Sequence, residues 1–233
     1  WAGGQTSDEH EDKTESYDGT TFSNESDLPY ELNSCGGNGN SSDALCVNGS
    51  SYPNNDCGTG AGYGMTDNAL TWNGSVWGSE ANTSLATRES GCGGNSSGGL
   101  RVAGNSCGGG ASSYLDSVEE YNGSTWGAGG TYPLNIRSTK GGGIGDSSGI
   151  CFNGEISGGT VESDQCNSYD GNSWTGEGNV PYQARALGGD GLPDGSEACS
   201  FGGYDHVTGD RDMASTYISN AWTDRSPLPD PIS

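Results

Sequence analysis

Pairs of aromatic residues recur along the chain, and a short polar turn separates the two members of each pair. The pairs are Tyr17 with Phe22, Trp72 with Trp77, Tyr121 with Trp126, Tyr169 with Trp174, and Tyr217 with Trp222. Successive pairs start 55, 49, 48 and 48 residues apart. A fixed period of this length predicts a repeat architecture, in which each copy is one supersecondary unit.

Residues 139–184 contain the clearest copy of the repeat. It opens with Lys140-Gly141-Gly142-Gly143 and then has three apolar or alternating segments, Gly149 to Phe152, Val161 to Tyr169 and Asn172 to Thr175. Asp170-Gly171 separates the last two segments, and both residues tolerate the positive φ of a primed hairpin turn. The pattern therefore predicts four short antiparallel strands in each copy.

One repeat phase runs through all 233 residues and predicts a single repeat domain, 1–233. The copies span roughly 1–34, 35–90, 91–138, 139–186 and 187–233. The first copy is incomplete, because Trp1-Ala2-Gly3-Gly4 matches the end of a second strand. An incomplete sheet has an open edge, and open edges pair with other strands. The C-terminal tail, residues upstream or a neighbouring subunit could complete this sheet.

The chain resembles the kelch repeat family of β-propellers. The resemblance rests on Gly-Gly doublets placed after the second strand, on an aromatic residue after the third, and on a Trp in the fourth; the doublets are Gly3-Gly4, Gly108-Gly109, Gly158-Gly159 and Gly202-Gly203. It implies an all-β, kelch-like β-propeller of about five four-stranded blades, the first incomplete at its N-terminus. The five-residue aromatic spacing is shorter than is usual in kelch units. It is similar to short-turn repeats of phage and environmental microbial extracellular proteins. A β-solenoid is the alternative fold, although its coils are usually shorter than 48 residues.

Composition changes this picture in two ways. The chain has 44 Gly and is only 29% hydrophobic, which is compatible with disorder, but the aromatic residues in register favour short strands joined by tight turns. The net charge of −23 disfavours nucleic acid and anionic lipid as partners. No apolar run reaches the roughly 18 residues of a membrane span, so we expect no membrane insertion.

Cysteines and glycosylation sequons point to an extracellular protein, secreted or on a cell or virion surface. An even number of Cys in a chain of this composition predicts disulfides. Distance from the turns predicts the pairs Cys35 with Cys46, Cys92 with Cys107, and Cys151 with Cys166, which leaves Cys57 with Cys199. The sequons place candidate N-glycans on Asn24, Asn40, Asn48, Asn73, Asn82, Asn95 and Asn122.

Candidate chemistry is sparse. No GxSxG motif is present, and His10 and His206 are the only histidines, so we expect no catalytic residues, no bound cofactor and no enzyme activity. Ser168 to Trp174 only superficially matches a sialidase turn. The arginines are expected to be scattered over the surface. Two acidic groups, Asp8 to Asp12 and Asp205 with Asp210 and Asp212, are either solvated turns or weak Ca²⁺ sites.

Three functions remain open. The first is a non-enzymatic structural subunit that forms homo-oligomers or filaments, as in a surface appendage or fibre. The second is an adhesin module that binds a glycan or protein through the loops Ser50 to Gly64 or Tyr204 to Asp212. The third is a glycan-processing hydrolase on a propeller scaffold, which a pocket grouping arginines with carboxylates would favour.

Overall fold

The computed structural model describes residues 2–5, 10–51, 64–108, 111–144, 148–157, 160–192 and 196–232. Every regular element in these ranges is a β-strand, and all strand pairs are antiparallel. The described residues form no helix that is long and apolar enough to cross a membrane. Five small sheets are arranged as the blades of a β-propeller, which confirms the predicted fold class.

Blade 1 differs from the other four blades in its number of strands. It has three, namely β1 (Ala2–Gln5), β2 (His10–Tyr17) and β3 (Phe22–Asn24). Blade 2 has β4 (Gly36–Asn40), β5 (Asp43–Ser50), β6 (Met65–Trp72) and β7 (Trp77–Ser79). Blade 3 has β8 (Gly91–Asn95) and β9 (Gly98–Val102), the hairpin β10 (Asn105–Gly108) with β11 (Ala111–Tyr114), then β12 (Val118–Tyr121) and β13 (Trp126–Ala128).

The last two blades follow the same plan. Blade 4 has β14 (Lys140–Ile144), β15 (Ser148–Ser157), β16 (Val161–Tyr169) and β17 (Trp174–Gly176). Blade 5 has β18 (Gly188–Gly191) and β19 (Glu197–Phe201), the hairpin β20 (Tyr204–Asp205) with β21 (Gly209–Asp210), then β22 (Ala214–Ile218) and β23 (Ala221–Asp224).

The first strands of blades 2 to 5 lie next to one another around the propeller axis, and we call them the inner strands. Their glycines permit this close approach. A Cβ on Gly142 of β14 would lie 1.9 Å from the carbonyl oxygen of Gly191 in β18. A Cβ on Gly36 of β4 would lie 2.6 Å from the Cβ of Cys92 in β8. Glycine at these positions therefore sets the spacing between blades.

Each aromatic pair lies across the last hairpin of its blade. In blade 4, Tyr169 and Trp174 are opposite each other, with ring centroids 4.8 Å apart. The Asp170 carboxylate accepts the backbone N–H groups of Asn172 and Ser173 at 2.9 and 2.8 Å. Only Gly171 in this turn has positive φ, at 89°. The hairpin is as predicted, but the primed two-residue turn is wrong, because a four-residue loop capped by Asp170 replaces it.

The hydrophobic core is divided into clusters, most of which join neighbouring blades. One cluster joins blades 4 and 5 through Ile150 and Phe152, which pack with Ala198 and Tyr217. A second joins blades 3 and 4 around Leu100 and Tyr169. The aromatic residues of the repeat thus pack between blades, as expected from the sequence.

A two-residue left-handed element follows each second strand, and it corrects the sequence-based choice of Gly-Gly doublets. Both residues have positive φ in Gly3-Gly4, Asn48-Gly49, Ala103-Gly104, Asn153-Gly154 and Gly202-Gly203. The second residue donates its N–H to a carbonyl of the segment that leaves the same blade. The doublet Gly108-Gly109 instead begins within the hairpin of blade 3, and Gly158-Gly159 lies outside the described residues.

The C-terminal tail completes this pattern in blade 5. Gly203 donates its N–H to Ile232 at 2.6 Å, as Gly154 does to Ala184 at 2.9 Å. Ile232 also pairs with Arg211. Up to Ile232 the tail therefore belongs to blade 5, and it does not fill the missing strand of blade 1.

Candidate interaction site at the incomplete blade

The aromatic pair of blade 1 is uncovered. At the position of Tyr17, the tyrosines of blades 3 to 5 are no more than 3% exposed. They pack towards the preceding blade; for example, the Tyr121 hydroxyl donates a 2.8 Å hydrogen bond to Glu80. Tyr17 is 54% exposed and Phe22 is 66% exposed. This face of blade 1 therefore lacks the contacts that cover the equivalent faces.

One edge of blade 1 is also open. Strand β2 pairs on its outer side with β3, where Ser16 is opposite Ser23 and Tyr17 is opposite Phe22. On its inner side β2 pairs with β1 only from Ala2 onward, where Ala2 is opposite Thr14. In the part of the chain that the structure describes, no strand pairs with the inner edge at Ser16 and Tyr17. This stretch of backbone has the form of a strand-accepting edge.

A cavity of about 550 Å³ lies beside this edge. One wall is β2 from Thr14 to Tyr17, and the facing wall belongs to blade 2, with contributions from β4, β5, Trp72 and Trp77. Lys140 of blade 4 and Asp190 of blade 5 also line it, so the cavity reaches the propeller axis. The cavity thus lies where the first half of a complete blade would be.

The axial end of the cavity is polar. The Asn38 side chain donates a hydrogen bond to the Asp190 carboxylate, which links the inner strands of blades 2 and 5. Burial raises the pKa of Asp190, and hydrogen bonds from Gly191 and Asn38 together with the charge of Lys140 oppose that shift. One cation and one anion thus face this end, next to an apolar wall.

Two thiols, Cys35 and Cys46, also line the cavity. Both are free. The Cys46 thiol donates a hydrogen bond to Cys35 and thereby lowers the pKa of Cys35, with a further contribution from the charge of Lys140. The predicted Cys35–Cys46 disulfide is therefore not formed, although the two side chains are in contact.

The other predicted disulfides are not formed either. Cys92, Cys151, Cys166 and Cys199 are free thiols, and Cys57 lies outside the described residues. Cys166 is opposite Phe152 rather than Cys151. Because neighbouring residues of a strand point to opposite faces, Cys151 packs between blades 3 and 4 and Cys166 between blades 4 and 5. Cys92 is likewise opposite Arg101, and Cys107 lies in a separate hairpin.

The glycosylation candidates fall into two groups. The side chains of Asn24, Asn40, Asn73, Asn82, Asn95 and Asn122 are exposed or half-buried. Asn48 is 1% exposed, and its Nδ2 donates to the Leu85 carbonyl at 2.9 Å and to Thr87 at 2.8 Å. A glycan on this nitrogen is incompatible with the fold, so the prediction for Asn48 is wrong.

The metal candidates do not converge. Among the described residues, no group of three or more His, Cys, Asp or Glu is arranged to hold a metal ion. The Asp205 carboxylate instead accepts the N–H groups of Val207 and Thr208, each at 2.8 Å, and pairs with Arg211 at 3.3 Å. Asp8 and Glu9 lie outside the described residues. Most of the candidate loop Ser50 to Gly64 also lies outside them.

Several arginines are less exposed than the sequence suggested. Arg101 is buried against Glu119 at 2.9 Å. Arg137 and Arg185 converge on Glu155, which is fully buried in blade 4. The Tyr114 hydroxyl also donates to Glu155. Since this carboxylate is enclosed by its own partners, the group acts as a buried ionic contact rather than a substrate pocket.

Comparisons with known proteins support the fold and go no further. No family model matches the chain, and no curated protein matches it. A solved structure titled "Structure of YjhT" is similar, with a TM-score of 0.70 and 10% sequence identity, and the alignment covers 99% of this chain and 84% of that one. At this level of identity the similarity shows a shared β-propeller fold alone.

Proposed function

We propose that this protein is a non-enzymatic structural subunit of an extracellular assembly, such as a surface appendage, fibre or filament. The observation that carries the proposal is the open inner edge of β2 beside the 550 Å³ cavity. An unpaired strand edge next to exposed aromatic rings is costly for an isolated protein. Association with a neighbour would remove both.

The rest of the proposal comes from the sequence. The exposed sequons and the acidic surface fit a secreted glycoprotein, and the repeat is kelch-like in its aromatic and glycine positions. The buried Glu155 group does not offer a reactive carboxylate to a substrate, so it does not favour the hydrolase alternative.

Sedimentation velocity and negative-stain electron microscopy over a range of protein concentrations test the proposal. We expect ordered oligomers or filaments, and we expect Phe22→Lys to abolish them because it places a charge on the uncovered face. Val207→Lys is the matched control, since Val207 is exposed on the hairpin of blade 5. A monomer at all concentrations, or equal loss of assembly in both variants, would refute the proposal.

A further inference from the structure

The complete blades show what belongs opposite Tyr17 and Ser16. A small residue lies opposite the aromatic residue that ends the third strand, and the next residue lies opposite its neighbour. These dipeptides are Ala44-Leu45, Gly99-Leu100, Gly149-Ile150 and Ala198-Cys199. Three of the four therefore follow one pattern, a Gly or Ala followed by Leu or Ile.

The second residue of the dipeptide packs on the following blade. Leu45 of blade 2 lies on blade 3, where a Cβ added to Gly99 would be 2.3 Å from its Cδ2. Ile150 of blade 4 lies on blade 5, where a Cβ added to Gly191 would be 2.5 Å from its Cγ2. Both side chains are almost fully buried.

The same step applied to blade 1 leads into the cavity. A residue opposite Ser16 would pack on blade 2 at Ala44, the counterpart of Gly99, and Ala44 lines the cavity. Leu45, Trp72 and Trp77 line it as well. This wall offers apolar contacts to one aliphatic side chain, and β2 offers backbone hydrogen bonds on its inner edge.

We propose that this cavity binds an extended segment of another polypeptide, which carries Gly or Ala opposite Tyr17 and Leu or Ile opposite Ser16. The segment runs antiparallel to β2, as the second strands of blades 2 to 5 run to their third strands. Main-chain hydrogen bonds supply affinity, and the small and apolar residues supply specificity. This inference rests on the proposed assembly function and names the chemistry of its contact.

A synthetic peptide tests the proposal on the unmodified protein. The probe is acetyl-Ser-Gly-Ile-Ser-Phe-amide, which copies Ser148 to Phe152 with Ser in place of Cys151. We expect saturable binding by isothermal titration calorimetry and a change in tryptophan fluorescence, since Trp72 and Trp77 line the cavity. A control peptide with Ser in place of Ile is expected to bind about 30-fold more weakly, because it loses one buried aliphatic side chain.

A cavity-filling variant identifies the site. Gly37 lines the cavity, and a Cβ there would be 3.6 Å from the Leu45 carbonyl, an ordinary contact. We expect Gly37→Val to weaken peptide binding about tenfold or more. Gly127→Val is the matched control, because a Cβ at Gly127 meets nothing within 4 Å and lies on the outer strand of blade 3. The control is expected to bind the probe as the unmodified protein does.

The outcomes separate this inference from the proposed function. Failure of the probe to bind, equal binding of both peptides, or equal binding by the Gly37→Val variant would overturn the inference. Filaments that form without any binding of the probe would leave the assembly function standing and refute its strand chemistry. Specific probe binding by a protein that stays monomeric would refute the assembly function and support the peptide site.

Discussion

Equivalent tyrosines in blades 1 and 3 should make very different contributions to stability. Tyr121 is fully buried between blades and its hydroxyl donates to Glu80 at 2.8 Å. Tyr17 has the same place in its blade, but 54% of it is exposed and its ring contacts Phe22 with centroids 4.7 Å apart. We therefore compare Tyr121→Ala with Tyr17→Ala.

The difference in burial sets the expected magnitudes. Removing a fully buried aromatic side chain leaves a cavity and typically costs about 3 to 5 kcal/mol, so we expect Tyr121→Ala to lower the free energy of unfolding by about 4 kcal/mol. Tyr17 has less than half of that area to lose and leaves no enclosed cavity. We expect Tyr17→Ala to cost about 1 kcal/mol.

Equilibrium urea denaturation followed by tryptophan fluorescence measures both changes. Tyr121→Phe serves as a control, since it keeps the ring and removes only the hydrogen bond, at a cost of about 1 kcal/mol. Equal losses in Tyr17→Ala and Tyr121→Ala would mean that Tyr17 is covered in solution. That result would refute the inference that blade 1 is open.

Three further predictions follow from buried groups. Glu155→Gln leaves two arginines without their carboxylate and should cost about 3 to 5 kcal/mol in urea denaturation, whereas the exposed Arg225→Gln should change stability by less than about 0.5 kcal/mol; equal effects would contradict the buried ionic contact. Iodoacetamide should modify Cys35 before Cys92, because the Cys46 hydrogen bond lowers the pKa of Cys35 and burial raises that of Cys92; peptide mass spectrometry that finds the reverse order would contradict the thiol geometry. Glycopeptide mapping of native material should find no glycan on Asn48, and occupancy there would contradict its burial.

The propeller could be predicted because its signals are local. The aromatic pairs lie across one hairpin in each blade, and strand β16, Val161–Tyr169, has the bounds that alternation predicts. The incomplete first blade followed from the same phase. Each of these features depends on residues fewer than ten positions apart.

The features that could not be predicted depend on the side of a sheet or on distant segments. Equal distance from a turn does not say which face a side chain points to, so Cys151 and Cys166 were wrongly paired. The left-handed element needs a small or polar residue that tolerates positive φ, which Asn153 and Ala103 also provide, so a search for Gly-Gly doublets missed it. Glu155 meets arginines from two different connecting segments, which no sequence spacing reveals.

High-resolution electron microscopy of the native material tests the central claim most directly. We expect an ordered assembly in which density for an additional extended strand runs antiparallel to β2 at Ser16 and Tyr17, and is continuous with a neighbouring subunit. Separate particles in which the edge at Ser16 and Tyr17 is bare, or is paired with a segment of the same chain, would contradict the account.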